Sequence, residues 1–260
     1  MITEKDVCCI IPYRAADEYR KNNINCSTKI LKNDFPQMDI FVVEQDEKPI
    51  LNDNDIFKTK FLYNPGLFNK SWALNIGINS SDKEYCLLFD ADLIIQKEGL
   101  EQAFSLIDKF EVVKPFSNIF NLTENQSKNC YTNEIDFNNV EFISRNDRLG
   151  PIAGGIILTT KTAMNKVGLW HEGFQGYGAE DDAQSIKVNR FLSHITLPFT
   201  CLHLYHSRSG ANDYINHSNY QNNIDLFYKI HAMNNVQLIE EMEKYRETNG
   251  NINKYRGNNE

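Results

Sequence analysis

Two acidic residues separated by a single alanine, Asp90-Ala91-Asp92, directly follow a run of apolar residues at 86–89. Carboxylate oxygens suit Mg²⁺ or Mn²⁺, and such an ion keeps coordination positions open for phosphate oxygens. The apolar run predicts a buried strand, and open α/β sheets bind ligands at the carboxyl ends of their strands. Another triplet of this form, at residues 53–55, lies in a polar stretch typical of a turn. This context favours a metal site at Asp90–Asp92 over the simpler hypothesis that these acids only end a strand.

Three consecutive acids, Glu180, Asp181 and Asp182, follow a glycine- and aromatic-rich segment at residues 173–178. Acids in the first turn of a helix complement its dipole, which explains one or two of the three. The repeated glycines suit close approach of the backbone to a sugar ring. A carboxylate at this place could also deprotonate an acceptor hydroxyl. A catalytic base and a capped helix start therefore both remain open as interpretations.

Two histidines three positions apart, His203 and His206, end a predicted strand at 195–204. Imidazoles at this spacing could ligate a metal, although a single histidine is more often structural. Arg208 follows them and could contact phosphate. Arg14, at the end of the first predicted strand, is a second candidate for contact with phosphate or base, and a surface salt bridge is its alternative role.

The elements that must position these residues alternate between strand and helix over the first 120 residues. This alternation predicts a mostly parallel sheet covered by helices on both faces. The predicted strands lie at 7–11, 39–43, 58–63, 85–89, 111–116, 152–159 and 195–204, and the predicted helices at 15–31, 68–78, 99–110, 161–167, 180–191 and 236–245. Residues 117–149 predict a loop with short elements, and the polar tail from residue 248 predicts disorder.

The composition limits the function classes. A chain of 260 residues fits one large α/β domain. The net charge of −8 without a basic stripe argues against nucleic acid as a partner. An acidic protein that binds a diphosphate needs a metal or a few well-placed cations. The six cysteines form no CxxC pair, which favours reduced thiols over a zinc site.

The sequence also predicts where the protein acts. No signal-peptide core follows the polar N-terminus, and no apolar run reaches the length of a membrane span. We therefore expect a cytoplasmic protein without a transmembrane segment. The mixed charges of the tail leave peripheral contact with the inner face of the membrane open.

The order of the motifs resembles the β-1,4-galactosyltransferase family and the related bacterial family 2 transferases. The resemblance spans roughly residues 7–210, and its most specific parts are Phe-Asn-x-x-x-x-Leu-Asn-x-Gly and Gly-x-Gly-x-Glu-Asp-Asp. The matching stretches are residues 11–14, 68–77, 89–93, 153–155, 173–182 and 206–208.

This resemblance implies a GT-A fold, which is a three-layer α/β/α arrangement with a mostly parallel central sheet. The transferase domain would cover residues 1–233. Its nucleotide-binding half would span about 1–95 and its acceptor and catalytic half about 96–233. A C-terminal helix and polar tail would occupy residues 234–260.

The resemblance also implies roles by position. Asp92 and His206 would ligate the metal, with His203 as the third ligand where the animal enzymes have Met. Asp181 would be the catalytic base, with Glu180 and Asp182 holding donor and acceptor. The residues expected around the nucleotide-sugar are Pro12, Tyr13, Arg14, Glu44, Phe68, Lys70, Asp90, Ala91, Gly155, Tyr177 and Arg208. Lys70 stands where the family has Arg and Tyr177 where it has Trp, so the donor sugar does not carry over.

We therefore expect an inverting glycosyltransferase dependent on Mn²⁺ or Mg²⁺. It would move a hexose or N-acetylhexosamine from a UDP-sugar to a hydroxyl of a glycan or glycolipid acceptor, in bacterial surface polysaccharide or lipooligosaccharide synthesis. A nucleotidyltransferase that makes the sugar nucleotide is an alternative, disfavoured because Pro12-Tyr13-Arg14 stands where its glycine-rich loop would be. A non-catalytic sugar-binding module and a metal-dependent hydrolase are the remaining alternatives.

Overall fold

The computed structural model describes residues 2–132, 135, 137, 143–144, 150–206 and 218–255. The strands in these residues are β1 (Val7–Tyr13), β2 (Asp39–Asp46), β3 (Lys58–Tyr63), β4 (Tyr85–Phe89), β5 (Leu93–Ile95), β6 (Val112–Lys114), β7 (Asn118–Asn121), β8 (Ile143–Ser144), β9 (Ile156–Thr160), β10 (His194–Thr196) and β11 (Thr200–His203). The α-helices are α1 (Glu18–Asp34), α2 (Lys70–Ser80), α3 (Lys97–Leu106), α4 (Glu124–Thr132), α5 (Lys161–Lys166), α6 (Glu180–Phe191), α7 (Tyr220–Ala232) and α8 (Asn235–Arg246).

The central sheet has seven strands in the order β10-β6-β9-β4-β1-β2-β3. Strands β3, β2, β1 and β4 run parallel, and β9 runs antiparallel to both of its neighbours. Every residue of β1 is buried, as expected of a parallel strand covered on both faces. The carboxyl ends of β1, β2 and β4 therefore meet at one edge of the sheet. Because β9 runs the other way, its first residue, Ile156, pairs with Phe89 at this edge.

Helices cover both faces of the central sheet. One buried cluster joins β1 to α1 and α3 through residues such as Ile24 and Leu100. Another cluster joins the opposite face to α2, α5 and α6 through residues such as Trp72, Met164 and Val188. The three-layer α/β/α fold with a mostly parallel sheet is thereby confirmed.

A smaller sheet, in the order β5-β11-β7-β8, lies beside the central one. The predicted strand at 195–204 is wrong as a single element. Its first part, β10, pairs with β6 in the central sheet, and β11 pairs with β5 and β7 in the smaller sheet. Pro198 lies between the two parts and has no amide hydrogen to continue a sheet ladder. This transfer carries His203 to the turn that follows β4, because His203 pairs with Leu93.

Several elements were not predicted from the sequence. They are β5, β7 and the helices α4 and α7, which lie in polar or short segments without a strong period. No helix within the described ranges is long and apolar enough to cross a bilayer.

Residues 249–255, which we call the C-terminal strap, pack against the body of the domain. Disorder from residue 248 is therefore wrong for the described part of the tail. The Asn249 side-chain amide donates to the carbonyls of Gly168 and Trp170 at 3.0 and 3.2 Å. The Gly250 amide donates to Glu172 Oε1 at 2.5 Å. Composition misled here because the polar residues of the strap satisfy buried polar partners far away in the chain.

The strap also closes over α2. Lys254 Nζ lies 2.8 Å from Glu172 Oε2, and the indole of Trp72 donates to the Asn251 carbonyl at 2.9 Å. The Tyr255 ring packs edge-on against Trp72, with the ring centroids 5.3 Å apart. The strap therefore links the start of α2 to the segment that precedes residues 173–178, which we call the glycine-rich loop.

We expect Asn249→Ala to lower the free energy of unfolding by about 1–3 kcal/mol, because the Gly168 carbonyl loses its buried donor. Urea unfolding followed by circular dichroism measures the change. Asn253→Ala is the matched control, since the Asn253 side chain is exposed and should cost less than about 0.5 kcal/mol. Equal losses in the two variants would contradict a stabilising role for the Asn249 side chain.

Candidate active site

The turn between β4 and β5 consists of Asp90, Ala91 and Asp92, at the carboxyl edge of the central sheet. The Asp90 amide donates to the Gly155 carbonyl at 2.8 Å, and the Leu204 amide donates to the Asp92 carbonyl at 2.8 Å. Gly155 has a φ of +84°, and a Cβ there would overlap the Asp90 carboxylate. Only glycine therefore allows this close approach, and the predicted residues Asp90 and Gly155 lie together.

Asp92 meets the two predicted histidines. Its Oδ2 atom lies 3.5 Å from Nε2 of His203 and 3.5 Å from Nε2 of His206. The three ligand atoms lie within 4.8 Å of one another, a spacing that one ion with ligand distances of about 2.0–2.3 Å can span. His203 Nδ1 lies 2.8 Å from Asn121 Oδ1. Since an amide oxygen only accepts, a proton on Nδ1 would satisfy this contact and would leave Nε2 available as a ligand.

One carboxylate and two imidazoles are a donor set that fits a divalent transition metal such as Mn²⁺. The close approach of a carboxylate oxygen to two imidazole nitrogens is favourable when a cation or a proton lies between them. The residues of this site therefore fit the ion that the sequence led us to expect.

Arg20, on the first turns of α1, also contacts Asp92. Its Nη1 atom lies 2.5 Å from Asp92 Oδ2, and the Arg20 side chain is 33% exposed. Burial alone would raise the pKa of Asp92. The contacts of Asp92 with His203, Arg20 and His206 outweigh burial and hold that pKa well below its usual range.

Lys70 forms a second charged cluster on the other side of the turn. Its Nζ atom lies 3.0 Å from Asp90 Oδ1, 3.1 Å from Asp181 Oδ1 and 3.8 Å from Glu180 Oε1. Burial would lower the pKa of Lys70, but the three carboxylates outweigh it and raise that pKa. Burial, with the neighbouring Asp181 charge, raises the pKa of Glu180. One ammonium thus joins the Asp90 turn to the start of α6.

The glycine-rich loop leads into α6 and fixes its first acids. Ala179, the residue before the helix, is left-handed with a φ of +68°. The Gly176 amide donates to the Phe68 carbonyl at 2.7 Å, which ties the loop to the start of α2. Asp181 is buried, while Tyr177 is exposed and presents an aromatic ring that could stack on a sugar.

Arg14 connects the ends of three segments. Its guanidinium donates to the carbonyls of Gln45, Asn64 and Gly66 at 2.8, 2.8 and 2.6 Å. The guanidinium also lies 6.0 Å from the centroid of the Phe68 ring. Arg14 therefore supports the loop that carries Phe68, and direct contact between Arg14 and phosphate stays a prediction.

The sequence model described as glycosyl transferase family 2 matches residues 12–168, more than half of the chain. The chain belongs to glycosyl transferase family 2. No curated protein sequence matches it.

Solved structures agree with this family at the level of the fold. The structure of GalNAc-T7 with UDP, GalNAc and Mn²⁺ has a TM-score of 0.60 at 14% identity, covering 95% of this chain and 50% of that one. A mutant of Drosophila β1,4-galactosyltransferase 7 with manganese, UDP-Gal and xylobiose has a TM-score of 0.51 at 14% identity, covering 82% and 79%. The chain thus spans half the length of the first. The GT-A fold of this family 2 glycosyltransferase is confirmed.

The remaining predicted residues lie around the same edge of the sheet. Tyr13 is buried, and its hydroxyl has no hydrogen-bond partner in the part of the chain that the structure describes. Glu44 is buried on β2 and accepts the Ile50 amide at 3.0 Å. Pro12 pairs with Val43, beside Glu44.

The last three predicted residues are Ala91, Asp182 and Arg208. Ala91 is buried, and its carbonyl accepts the Ser27 hydroxyl at 2.9 Å. Asp182 is half-buried near the start of α6, next to Asp181. Arg208 lies outside the described residues.

Sequence reasoning missed two residues that contact the candidate metal ligands of this family 2 glycosyltransferase. Arg20 is one of several charged residues on α1, and nothing in its spacing separates it from the others. Asn121 ends β7, which pairs in parallel with β11, so its side chain reaches His203. Only the pairing of β7 with β11, which joins segments 82 residues apart, could have indicated Asn121.

Proposed function

We propose that this family 2 glycosyltransferase is a metal-dependent inverting enzyme. It transfers a hexose or N-acetylhexosamine from a UDP-sugar to a hydroxyl of a glycan or glycolipid acceptor. The observation that carries the proposal is the pair of charged clusters on either side of the Asp90–Asp92 turn. One cluster offers ligands for a cation, and the other offers a buried carboxylate for proton transfer.

The first cluster, the proposed metal site, consists of Asp92, His203 and His206. These residues would hold Mn²⁺ or Mg²⁺, which neutralises the charge of the departing diphosphate when bound. The contact between Asn121 Oδ1 and His203 Nδ1 would favour the tautomer that a metal ligand needs. Because the protein carries a net charge of −8, a local cation is needed to bring a diphosphate to this site.

The second cluster, the proposed catalytic site, includes the acids at the start of α6. Asp181 accepts the proton from the acceptor hydroxyl as that oxygen attacks the anomeric carbon. Glu180 and Asp182 hold the donor and acceptor sugars on either side of it. Attack from the face opposite the diphosphate inverts the configuration in one displacement, so no covalent enzyme intermediate forms.

Lys70 balances these acids. Its ammonium lies between Asp90 and Asp181, at 3.0 and 3.1 Å from one oxygen of each. Three carboxylates would otherwise face one another in a half-enclosed space and repel the donor diphosphate. Lys70 therefore offsets the repulsion between these carboxylates.

The donor pocket would lie at the carboxyl ends of β1 and β2. Phe68 would contact the uracil, held by Arg14 from behind, and Tyr177 would cover the sugars. UDP with Mn²⁺, or UDP-Gal with manganese, is bound in the two solved structures named above, which supports a UDP-sugar as the donor. The acceptor class, with a role in bacterial surface polysaccharide or lipooligosaccharide synthesis, extends the resemblance seen in the sequence.

A panel of UDP-sugars assayed for UDP release tests the proposal. UDP-Gal, UDP-Glc, UDP-GalNAc and UDP-GlcNAc are incubated with the enzyme in Mn²⁺ and, separately, in EDTA. We expect at least one donor to release UDP in Mn²⁺ and none in EDTA, and an acceptor screen with that donor then follows. Pyrophosphate release from a nucleoside triphosphate would favour a nucleotidyltransferase instead. Absence of UDP release from every donor and acceptor pair would contradict the proposal.

A further inference from the structure

We propose that Arg20 competes with the divalent ion for Asp92 and so weakens metal binding in the absence of the donor. The inference rests on the proposed metal site and adds a residue that opposes it. Without an ion, the Arg20 guanidinium supplies the positive partner of the Asp92 carboxylate. When an ion binds, the guanidinium must leave that position.

The competition follows from the oxygen atom that is shared. Arg20 Nη1 lies 2.5 Å from Asp92 Oδ2, and this same atom faces Nε2 of His203 and of His206 at 3.5 Å each. An ion held by the three ligands would therefore lie against the oxygen that Arg20 contacts. A guanidinium and a divalent cation separated by about 4 Å repel each other strongly in a partly buried site.

The burial of Asp92 makes its ion pair with Arg20 important for stability. The Asp92 side chain is 7% exposed, and a buried carboxylate without a positive partner is costly. Arg20 removes that cost when no ion is present. Because the guanidinium already stabilises Asp92, an entering ion gains less from the same carboxylate.

The Arg20 side chain can leave without a change of the backbone. Its amide donates to Asp17 Oδ1 at 2.8 Å, which caps α1 and fixes its first turn. The Arg20 side chain is 33% exposed, so it can move into solvent. A change of rotamer can therefore release Asp92, and exposed side chains change rotamer on the picosecond to nanosecond timescale.

The test is a calorimetric titration of the full chain with Mn²⁺ alone. We expect Arg20→Ala to bind Mn²⁺ about tenfold more tightly than the unaltered protein, because it loses a charge-assisted bond and a repulsive charge together. Arg20→Gln, which keeps most of the length without the charge, should change the Kd in the same direction. Lys21→Ala is the matched control, since Lys21 lies on the same helix turn and pairs only with the exposed Glu18 in the described contacts.

Thermal unfolding provides a readout independent of catalysis. In EDTA, Arg20→Ala should have a lower Tm than the unaltered protein, because Asp92 then lacks its cation. Saturating Mn²⁺ should raise the Tm of Arg20→Ala more than that of the unaltered protein or of Lys21→Ala. If Arg20 only supported the fold, Arg20→Ala would lower the Tm equally with and without Mn²⁺.

The outcomes separate this inference from the proposed function. If the unaltered protein binds Mn²⁺ and both Arg20 variants bind it equally or more weakly, Arg20 does not compete, and only the inference is overturned. Weaker binding in both variants would instead assign Arg20 to orienting Asp92. If the unaltered protein binds no Mn²⁺, the proposed metal site and the competition fail together.

Discussion

Asp181→Asn is expected to lower kcat by about a hundredfold to ten-thousandfold, the usual contribution of a general base. The amide cannot take a proton from the acceptor hydroxyl at neutral pH. Its oxygen can still accept from Lys70, which lies 3.1 Å from Asp181 Oδ1, so the cluster stays assembled. We therefore expect donor binding to change little. Steady-state kinetics with saturating donor, together with calorimetric binding of UDP in Mn²⁺, separates the two effects.

Asp225→Asn serves as the control for Asp181→Asn. Asp225 lies on α7 and accepts the exposed Gln221 side chain at 2.8 Å, away from Lys70. It should retain full kcat and full UDP affinity. Unimpaired transfer by Asp181→Asn would sink the assignment of the base. Loss of UDP binding along with transfer would instead indicate that Asp181 shapes the donor pocket.

Asp92→Asn is expected to abolish detectable Mn²⁺ binding and to lower transfer by about a thousandfold or more. The loss of the negative charge removes a ligand and leaves only the imidazoles of His203 and His206. Several kcal/mol of charge stabilisation at the diphosphate are lost with the metal. Mn²⁺ titration and UDP release with the preferred donor measure the two effects on one preparation.

The second Asp-x-Asp triplet of the chain provides the control for Asp92→Asn. Asp55 is exposed, and Asp55→Asn makes the same chemical change in the same sequence pattern. Full Mn²⁺ affinity and full transfer are expected for it. If Asp92→Asn still binds Mn²⁺ with unchanged affinity, the ligand set of Asp92, His203 and His206 is wrong.

The sequence was sufficient wherever the information is local. The apolar run at 86–89 predicted β4 and thereby the position of Asp90–Asp92 at the edge of the sheet. The predicted helix at 68–78 corresponds to α2, and the side chain of Asn69 caps that helix by accepting the Trp72 amide at 2.9 Å. These predictions depend on burial and capping over a few residues, which a single sequence displays.

The sequence was insufficient wherever partners are distant in the chain. Its motifs predicted that Asp92, His203 and His206 meet, but not that Arg20 joins them. The separate grouping of Asp90 with Lys70 and Asp181 depends on how α2 and α6 approach the sheet, which no periodicity records. The split between β10 and β11 likewise depends on pairing with distant strands, β6 in the central sheet and β5 and β7 in the smaller one.

The C-terminal strap has a consequence for how the protein is made. Glu172 precedes the loop that leads to Asp181, and it accepts from Asn75, Gly250 and Lys254. The last two donors are synthesised 78 and 82 residues after Glu172. At ~5–20 residues per second, a ribosome needs roughly 4–16 s to add them. The nascent chain can therefore complete β1, β2 and β4 well before the loop at residues 173–178 is secured, and activity should emerge only after residues 249–255 have left the ribosome.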